Sequence, residues 1–315
     1  MTQNITIPKI IDCIRQKSGT INSTGLYNGK AGLSLSLFVA ATSLCDEQLE
    51  DWAFDLLKES LIIKNNDSDF ENGLAGIGYV LLYLTENNYL EIDFDEVFGK
   101  QYEEIIKSFE HIDKNPLRLI TSFQAIYFLS KVNNIKKEDS RIQMIIKKIF
   151  EGLELFLITQ FHDFTDIHYI SNKNAVLNIH KTYLKLVDYS GYTHFSRTLL
   201  EDYAALYRKG KTVSSLETGY YLKRIADRYH ITGYEDIIDE NIRNGTNGMY
   251  SCTLSLRERI DLAKLINHKK CDIPHKGETI QDLLKTVNDN YYPFGYGAGL
   301  GRLIIYLVNK DTELL

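Results

Sequence analysis

Residues 25–33 read GLYNGKAGL and residues 69–77 read DFENGLAGI, so an Asn-Gly-x-Ala-Gly core recurs after 44 positions. An almost wholly apolar run follows each of them, SLSLFVAA after the first and GYVLLYL after the second. A third copy, YPFGYGAGL at residues 292–300, is followed by GRLIIYL, and a weaker one, NGTNGM at residues 244–249, by YSCTLSL. Similarity at a fixed period of this size is typical of stacked supersecondary units.

The segments between the glycine motifs have the pattern of amphipathic helices. Residues 49–62, LEDWAFDLLKESLI, place apolar side chains three and four positions apart. The same spacing recurs in residues 101–109, 142–153, 198–207 and 280–287. The runs that follow the glycines are apolar on nearly all sides and should be buried on most of them. Buried and surface helices therefore alternate along the chain, which predicts an all-α fold in two layers.

The number of repeats predicts how these layers are arranged. Degenerate copies near residues 115–130, 170–186 and 214–228 bring the number of inner helices to seven. The helix at 7–17 and the last inner helix, at about 297–309, are left without partners within their own repeats. Pairing them closes a ring and removes the free ends that an open array must cap. We therefore expect an α/α toroid, a double-layer helical barrel of seven hairpins, as a single domain over residues 1–315. An open array of helical repeats is the alternative.

The amino-acid composition restricts the kinds of binding partner and the cellular compartment that can be expected for this protein. The net charge is −6, and no basic patch of the kind that nucleic-acid binding requires is evident. The longest apolar stretches fall well short of the roughly 20 residues that span a bilayer, and the first residues lack the features of a signal peptide. The four cysteines are scattered, which favours reduced thiols (Cys13, Cys45, Cys252 and Cys271). These features predict a cytoplasmic protein without a membrane span.

The residues around the glycines suggest where a ligand would bind. Asn28 and Asn72 hold equivalent positions, and an asparagine there can cap a helix by accepting from backbone N–H groups. Tyr27, Tyr292 and Tyr296 lie beside the motifs and are suited to line a cavity mouth that binds peptide or sugar. Packing and turn geometry alone would explain the same residues.

The motifs NGKAGL, NGLAGIG and GYGAGLG resemble those of the lanthipeptide cyclase, or lanthionine synthetase C-like, family. The resemblance implies a seven-fold α/α toroid. It also implies an enzyme that adds a peptide cysteine thiol to a dehydrated Ser or Thr and so forms a thioether. In that family, a zinc ion held by two Cys and one His presents the thiol as a thiolate.

The resemblance also implies where the zinc ligands belong, and this sequence departs from it there. The family's fifth motif corresponds to residues 213–219 and puts Ser214 at the first Cys. The sixth corresponds to residues 243–248 and puts Arg243 at the second Cys and Asn244 at the His. None of the three is a good zinc ligand, so we predict no metal and no other cofactor.

Other histidines and cysteines have some of the features of metal ligands. His168 is the nearest counterpart of the family's cavity histidine in the fourth motif. The pairs His162 with His168 and Cys271 with His275 have ligand-like spacing, but zinc needs three or four convergent ligands.

The predicted function is to bind a precursor peptide in a central cavity and to take part in its modification without catalytic zinc. The expected partner is that peptide or a peptide-modifying enzyme. One alternative is a toroidal carbohydrate-active enzyme that uses carboxylates such as Asp163 with Asp166 or Asp236 with Asp239, and another is a non-catalytic interaction scaffold. The candidate cavity residues are Tyr27, Asn28, Asn72, His168, Ser214, Glu217, Arg243, Asn244 and Tyr296.

Overall fold

The computed structural model describes residues 3–17, 19, 21–62, 67–110, 112, 122–164, 170–249, 260, 295–297 and 299–308. In these ranges it contains twelve α-helices and no strand, which confirms the all-α prediction. The helices are α1 (Gln3–Lys17), α2 (Lys30–Leu44), α3 (Glu47–Leu61), α4 (Leu74–Glu86), α5 (Phe94–Phe109), α6 (Ile126–Ile135), α7 (Ser140–Asp163), α8 (Ile170–Ser190), α9 (Arg197–Arg208), α10 (Leu216–Tyr229), α11 (Glu235–Met249) and α12 (Leu300–Val308). A short 3₁₀ turn, Phe123–Ala125, precedes α6.

The helices group into two compact units, of which the first comprises residues 1–108 and 254–315. In this unit α2 is buried continuously from Ala31 to Ala41, and α4 from Leu74 to Leu84. By contrast, α3 buries only one stripe and exposes the rest. The predicted difference between fully buried and amphipathic helices is thus present. The last helix, α12, packs against both α1 and α2, and α2 also packs against α4.

The second unit comprises residues 109–253 and is built from two rows of helices. In one row α8 packs between α6 and α10, and we call these three the even row. In the other, the odd row, α9 packs between α7 and α11. The rows contact each other through pairs that are consecutive in the chain, such as α6 with α7 and α10 with α11. This is the two-layered alternation that the sequence predicts.

The motif predicted at the start of the sixth inner helix lies within a helix of the structure. Residues 243–248 form the last turns of α11, and residues 250–259, where the inner helix is predicted to follow, lie outside the described residues. Gly245 serves a different purpose there, because a Cβ atom at this position would lie 2.2 Å from the Leu216 backbone nitrogen. The glycine allows α11 to approach the first turn of α10 closely.

Where the structure describes them, the other predicted segments match its helices. The stretches at 7–17 and 297–309 correspond to α1 and α12, and the copies near 170–186 and 214–228 to α8 and α10. The predicted helix at 280–287 lies outside the described residues. Among the helices that the structure describes, none is both long enough and apolar enough to cross a membrane.

Candidate functional site

The glycine motifs of the first unit form the same backbone contact twice. A Cβ atom on Gly32 would lie 1.8 Å from the carbonyl oxygen of Leu26, and one on Gly76 would lie 2.1 Å from that of Phe70. Both distances are far shorter than any real contact, so only glycine fits at either position. Leu26 and Phe70 are themselves 44 residues apart. The sequence repeat is therefore also a repeat of the packing between a loop and a helix start.

The two motif asparagines do not cap the helices, and that prediction is wrong. The N-cap residues are Gly29 and Gly73, neither of which makes a side-chain capping bond. Asn28 and Asn72 come one position earlier and are exposed, so whether they bind a ligand stays a prediction. The first N–H groups of the helices donate to carbonyl oxygens of the preceding loops, Lys30 to Ser23 at 3.0 Å and Leu74 to Asp67 at 2.7 Å.

Three motif segments lie side by side around Tyr27. Its N–H donates to the carbonyl oxygen of Glu71 at 2.6 Å, and its own carbonyl accepts from Gly297 N–H at 2.9 Å. The Tyr27 ring contacts those of Phe70 and Tyr296, at centroid distances of 6.3 and 6.2 Å. Tyr27 and Tyr296 are both buried. The structure gives these two tyrosines a packing role, and a role in binding stays a prediction.

In the second unit, a buried amide holds the start of α10. Ser215 caps the helix, and its side chain accepts from Thr218 N–H. Asn241 of α11 is fully buried, and its Oδ1 accepts from Ser215 N–H at 2.9 Å and from the Tyr203 hydroxyl at 3.4 Å. Its Nδ2 donates to the Ile237 carbonyl oxygen. Asn241 thus fixes the backbone of the fifth motif from the neighbouring helix.

Ser214, at the position the resemblance gives to the first zinc-ligating Cys, is half-buried. Its Oγ lies 2.7 Å from the hydroxyl oxygen of Tyr207 in a hydrogen bond. Neutral hydroxyls are poor ligands for zinc, which in proteins is held by thiolate, imidazole or carboxylate. The donor set at Ser214 therefore does not fit the metal that the family resemblance implies.

Glu217 lies in the first turn of α10 and joins this helix to α8. Its carboxylate is 2.6 Å from Lys181 Nζ. Further along the same seam, Asp188 of α8 is 2.7 Å from Arg224 and 3.5 Å from Arg228. The side chain of Asp188 is only 7% exposed, while both arginines keep more exposure. Ion pairs therefore run along the contact between α8 and α10 of the even row.

The remaining candidates are not brought into this cluster. Arg243 and Asn244 are exposed on the last turns of α11, and His162 is exposed at the end of α7. His168, Cys252, Cys271 and His275 lie outside the described residues. Across the part of the chain that the structure describes, no three His, Cys, Asp or Glu residues converge as a metal site would require.

The carboxylate pairs considered for glycoside cleavage show no site geometry in the described ranges. Asp236 forms an exposed ion pair with Arg208 at 3.0 Å. The hydrogen bond from Arg208 lowers the pKa of this carboxyl below its usual value, so it is not poised as a proton donor. Asp239 and Asp163 are exposed, and Asp166 lies outside the described residues.

Sequence reasoning missed His180, a strongly perturbed group of the second unit. It is fully buried in α8, with its ring 4.4 Å from that of Tyr203 and 5.3 Å from that of Phe161. Within the described residues, neither ring nitrogen has a hydrogen-bond partner. Burial lowers the pKa of His180 to about 3. The available signal was its place in the apolar stripe of α8, between Val176 and Tyr183.

Comparison with known families agrees with these features. The family described as lanthionine synthetase C-like protein matches residues 3–194, which is more than half of the chain. No curated protein and no solved structure matches the chain significantly. The family match covers the first two glycine motifs, whose contacts repeat in the structure. This chain belongs to the lanthionine synthetase C-like family.

Proposed function

We propose that this protein binds a precursor peptide and takes part in its modification without a zinc-bound thiolate. Family membership supports the peptide as the substrate class. The proposed binding place is the cavity of an α/α toroid formed by residues 1–315 as a single domain. The proposed partner is the peptide itself or an enzyme that modifies it.

The observation that carries the zinc-free part of the proposal is the hydroxyl pair at Ser214 and Tyr207. A thiolate ligand would carry a negative charge that compensates the metal, whereas this pair is neutral and satisfied internally at 2.7 Å. Asn241 and the Ser215 cap hold the same segment in place. A well-ordered segment that keeps its shape without metal suits recognition of a peptide.

The test is to produce a precursor peptide together with its modifying enzymes, with and without this protein, and to determine the products by mass spectrometry. Such a peptide is sought among the short reading frames beside the gene. We expect the yield or the pattern of modification to fall at least tenfold without the protein. The Ser214→Ala variant should leave the product as independent of added zinc as it is with the wild type, because no metal depends on that hydroxyl.

Identical products with and without the protein would contradict the proposal and favour a scaffold without a part in modification. A product that requires Ser214 together with added zinc would contradict the zinc-free mechanism alone.

A further inference from the structure

Four asparagines of this chain are followed by glycine, and two of these pairs belong to the repeated motif of the first unit. An asparagine before a glycine can react with the chain itself, because glycine has no Cβ atom to hinder the approach of its nitrogen to the asparagine side chain. The pairs differ in the backbone that surrounds them. The structure therefore indicates which of them is able to react.

The reaction is an attack of the backbone on a side chain. The glycine nitrogen attacks Cγ of the asparagine, the Cγ–Nδ2 bond breaks, and the NH₂ group leaves as ammonia with the proton of the glycine N–H. A five-membered succinimide ring is formed. Water then opens the ring at Cγ, which gives aspartate, or at the backbone carbonyl carbon, which gives isoaspartate. In isoaspartate the main chain runs through Cβ and Cγ.

The pair of Asn28 and Gly29 has the features that this reaction requires. Asn28 is exposed in the loop before α2, and within the described residues its side-chain amide forms no hydrogen bond. Gly29 precedes the first residue of α2, and its N–H donates to no acceptor among those residues. The attacking nitrogen is thus not engaged, and the side chain can turn toward it.

The pair of Asn244 and Gly245 is protected although Asn244 is also exposed. Both residues lie inside α11. In an α-helix each N–H donates to the carbonyl oxygen four residues earlier, so the Gly245 nitrogen is held along the helix axis. Closing a succinimide ring here would break that hydrogen bond and distort the helical backbone. The helix therefore hinders the reaction at this pair.

The pair of Asn72 and Gly73 is intermediate between these two cases. Asn72 is exposed in the loop before α4, as Asn28 is before α2. Its own N–H, however, donates to Asp69 Oδ1 at 2.7 Å. Gly25 also packs so closely that a Cβ atom there would lie 2.3 Å from Asn72 Cα. We therefore expect Asn72 to turn toward the attacking nitrogen less readily than Asn28.

An isoaspartate at position 28 would disturb the contact between the first and the last glycine motif. It adds one carbon to the main chain and lengthens it by up to about 1.5 Å. The Tyr27 carbonyl oxygen accepts from Gly297 N–H at 2.9 Å, and a Cβ atom on Gly295 would lie 2.9 Å from Asn28 Cα. Segments this close have no room for an extra backbone atom. A hydrogen bond of this length is lost when its atoms separate by about 1.5 Å.

We propose that Asn28 and Gly29 form a site of spontaneous deamidation, and that the isoaspartate formed there opens the contact between the first and the last glycine motif. The reaction consumes only water and releases ammonia, so it requires no substrate or partner. The protein therefore loses stability with time, starting from the motif that defines its fold.

The test is to incubate the purified full-length protein at slightly alkaline pH for several weeks and to map its tryptic peptides by mass spectrometry. Conversion appears as a mass gain of about one dalton, because OH replaces NH₂, and electron-transfer fragmentation distinguishes isoaspartate from aspartate. We expect Asn28 to convert at least tenfold faster than Asn244, and also faster than Asn72. In guanidinium chloride, where α11 is unfolded, Asn28 and Asn244 should convert at similar rates.

Two variants separate the reaction from its consequence. Asn28→Gln does not form the five-membered ring, so the mass gain should disappear from the tryptic peptide of residues 18–30. Asn28→Asp adds the negative charge of deamidation but keeps the normal main chain, and it should unfold at nearly the temperature of the wild type. The aged protein that has gained this charge, collected by ion exchange, should unfold several degrees below Asn28→Asp.

Equal conversion of Asn28 and Asn244 in the folded protein would overturn the proposal. So would faster conversion of Asn72 than of Asn28, absence of conversion at Asn28 while the denatured chain converts, or a mass gain in residues 18–30 that persists in Asn28→Gln. If the isoaspartyl protein unfolds at the same temperature as Asn28→Asp, the contact between the motifs is not opened and that part of the proposal is wrong.

Discussion

Replacing His180 by phenylalanine should make the second unit more stable and less sensitive to acid. The imidazole is fully buried among aromatic rings, and both of its nitrogens lack a hydrogen-bond partner within the described residues. An unsatisfied buried polar group costs about 1–3 kcal/mol. An apolar ring that keeps the contacts with Tyr203 and Phe161 avoids this cost. We expect His180→Phe to raise the free energy of unfolding at pH 7.5 by about 1 kcal/mol or more.

The pH dependence follows from the direction of the shift. The pKa of His180 is about 3 when folded and about 6.5 when unfolded, so the unfolded chain binds more protons between these values. The free energy of unfolding is therefore highest above pH 6.5, where His180 is neutral in both states. It decreases as the pH falls toward 3, because protonation then favours the unfolded chain. At about 1.36 kcal/mol per pH unit, this group alone should lower the free energy of unfolding by about 2–3 kcal/mol between pH 7.5 and 4.5.

The assay is urea denaturation followed by circular dichroism, at half-unit steps of pH over that range. His180→Phe should lack this loss of about 2–3 kcal/mol. The control His194→Gln, at an exposed position in the α8–α9 connection, should keep the full pH slope of the wild type. Parallel pH slopes for His180→Phe and the wild type would refute the reasoning, as would an NMR titration of the folded protein in which His180 changes charge near pH 6.5.

Three further substitutions, of which Gly99→Ala is a control, test the packing of the glycine motifs and of the fifth motif. Gly76→Ala should lower the free energy of unfolding by at least about 2 kcal/mol, because its Cβ would overlap a backbone carbonyl. Gly99→Ala in α5, whose nearest neighbour would be 3.9 Å away, should instead raise it by up to about 1 kcal/mol. Asn241→Leu should lower it by about 2–4 kcal/mol, because Ser215 N–H and the Tyr203 hydroxyl lose their shared acceptor. Thermal and urea denaturation measure the effects of all three substitutions. Equal effects of Gly76→Ala and Gly99→Ala would contradict the close packing inferred at Gly76.

The all-α fold and most of its helices could be predicted because helical periodicity and glycine spacing are local signals. The fully apolar run after Gly32 and the amphipathic stretch that follows it differ clearly in sequence, and α2 and α3 differ in burial in the same way. The repeat of 44 residues predicted stacked units of one kind, and in the structure Gly32 and Gly76 make equivalent contacts.

The errors come from features that depend on contacts distant in sequence. The glycines at 245 and 248 resemble a helix start, but Gly245 lies within α11, where Leu216 approaches it. The capping role given to Asn28 failed because the loop carbonyl of Ser23 occupies the N–H of Lys30. His180 was not selected because nothing local shows that Tyr203 and Phe161 close over it.

The fifth and sixth motifs do not support the absence of zinc equally well. The substitution at Ser214 rests on a segment that precedes α10, as the alignment with the fifth motif requires. The positions given to Arg243 and Asn244 rest on a helix start predicted after residue 248, and residues 250–259 lie outside the described residues. The zinc-free proposal therefore depends mainly on Ser214 and its hydrogen bond with Tyr207.

The zinc content of the purified protein, measured by inductively coupled plasma mass spectrometry after dialysis, tests this proposal most directly. With a hydroxyl where a thiolate is needed, we predict far less than one zinc per chain even after incubation with excess metal. One tightly held zinc per chain, lost in a Cys252→Ser variant that remains folded, would contradict the account.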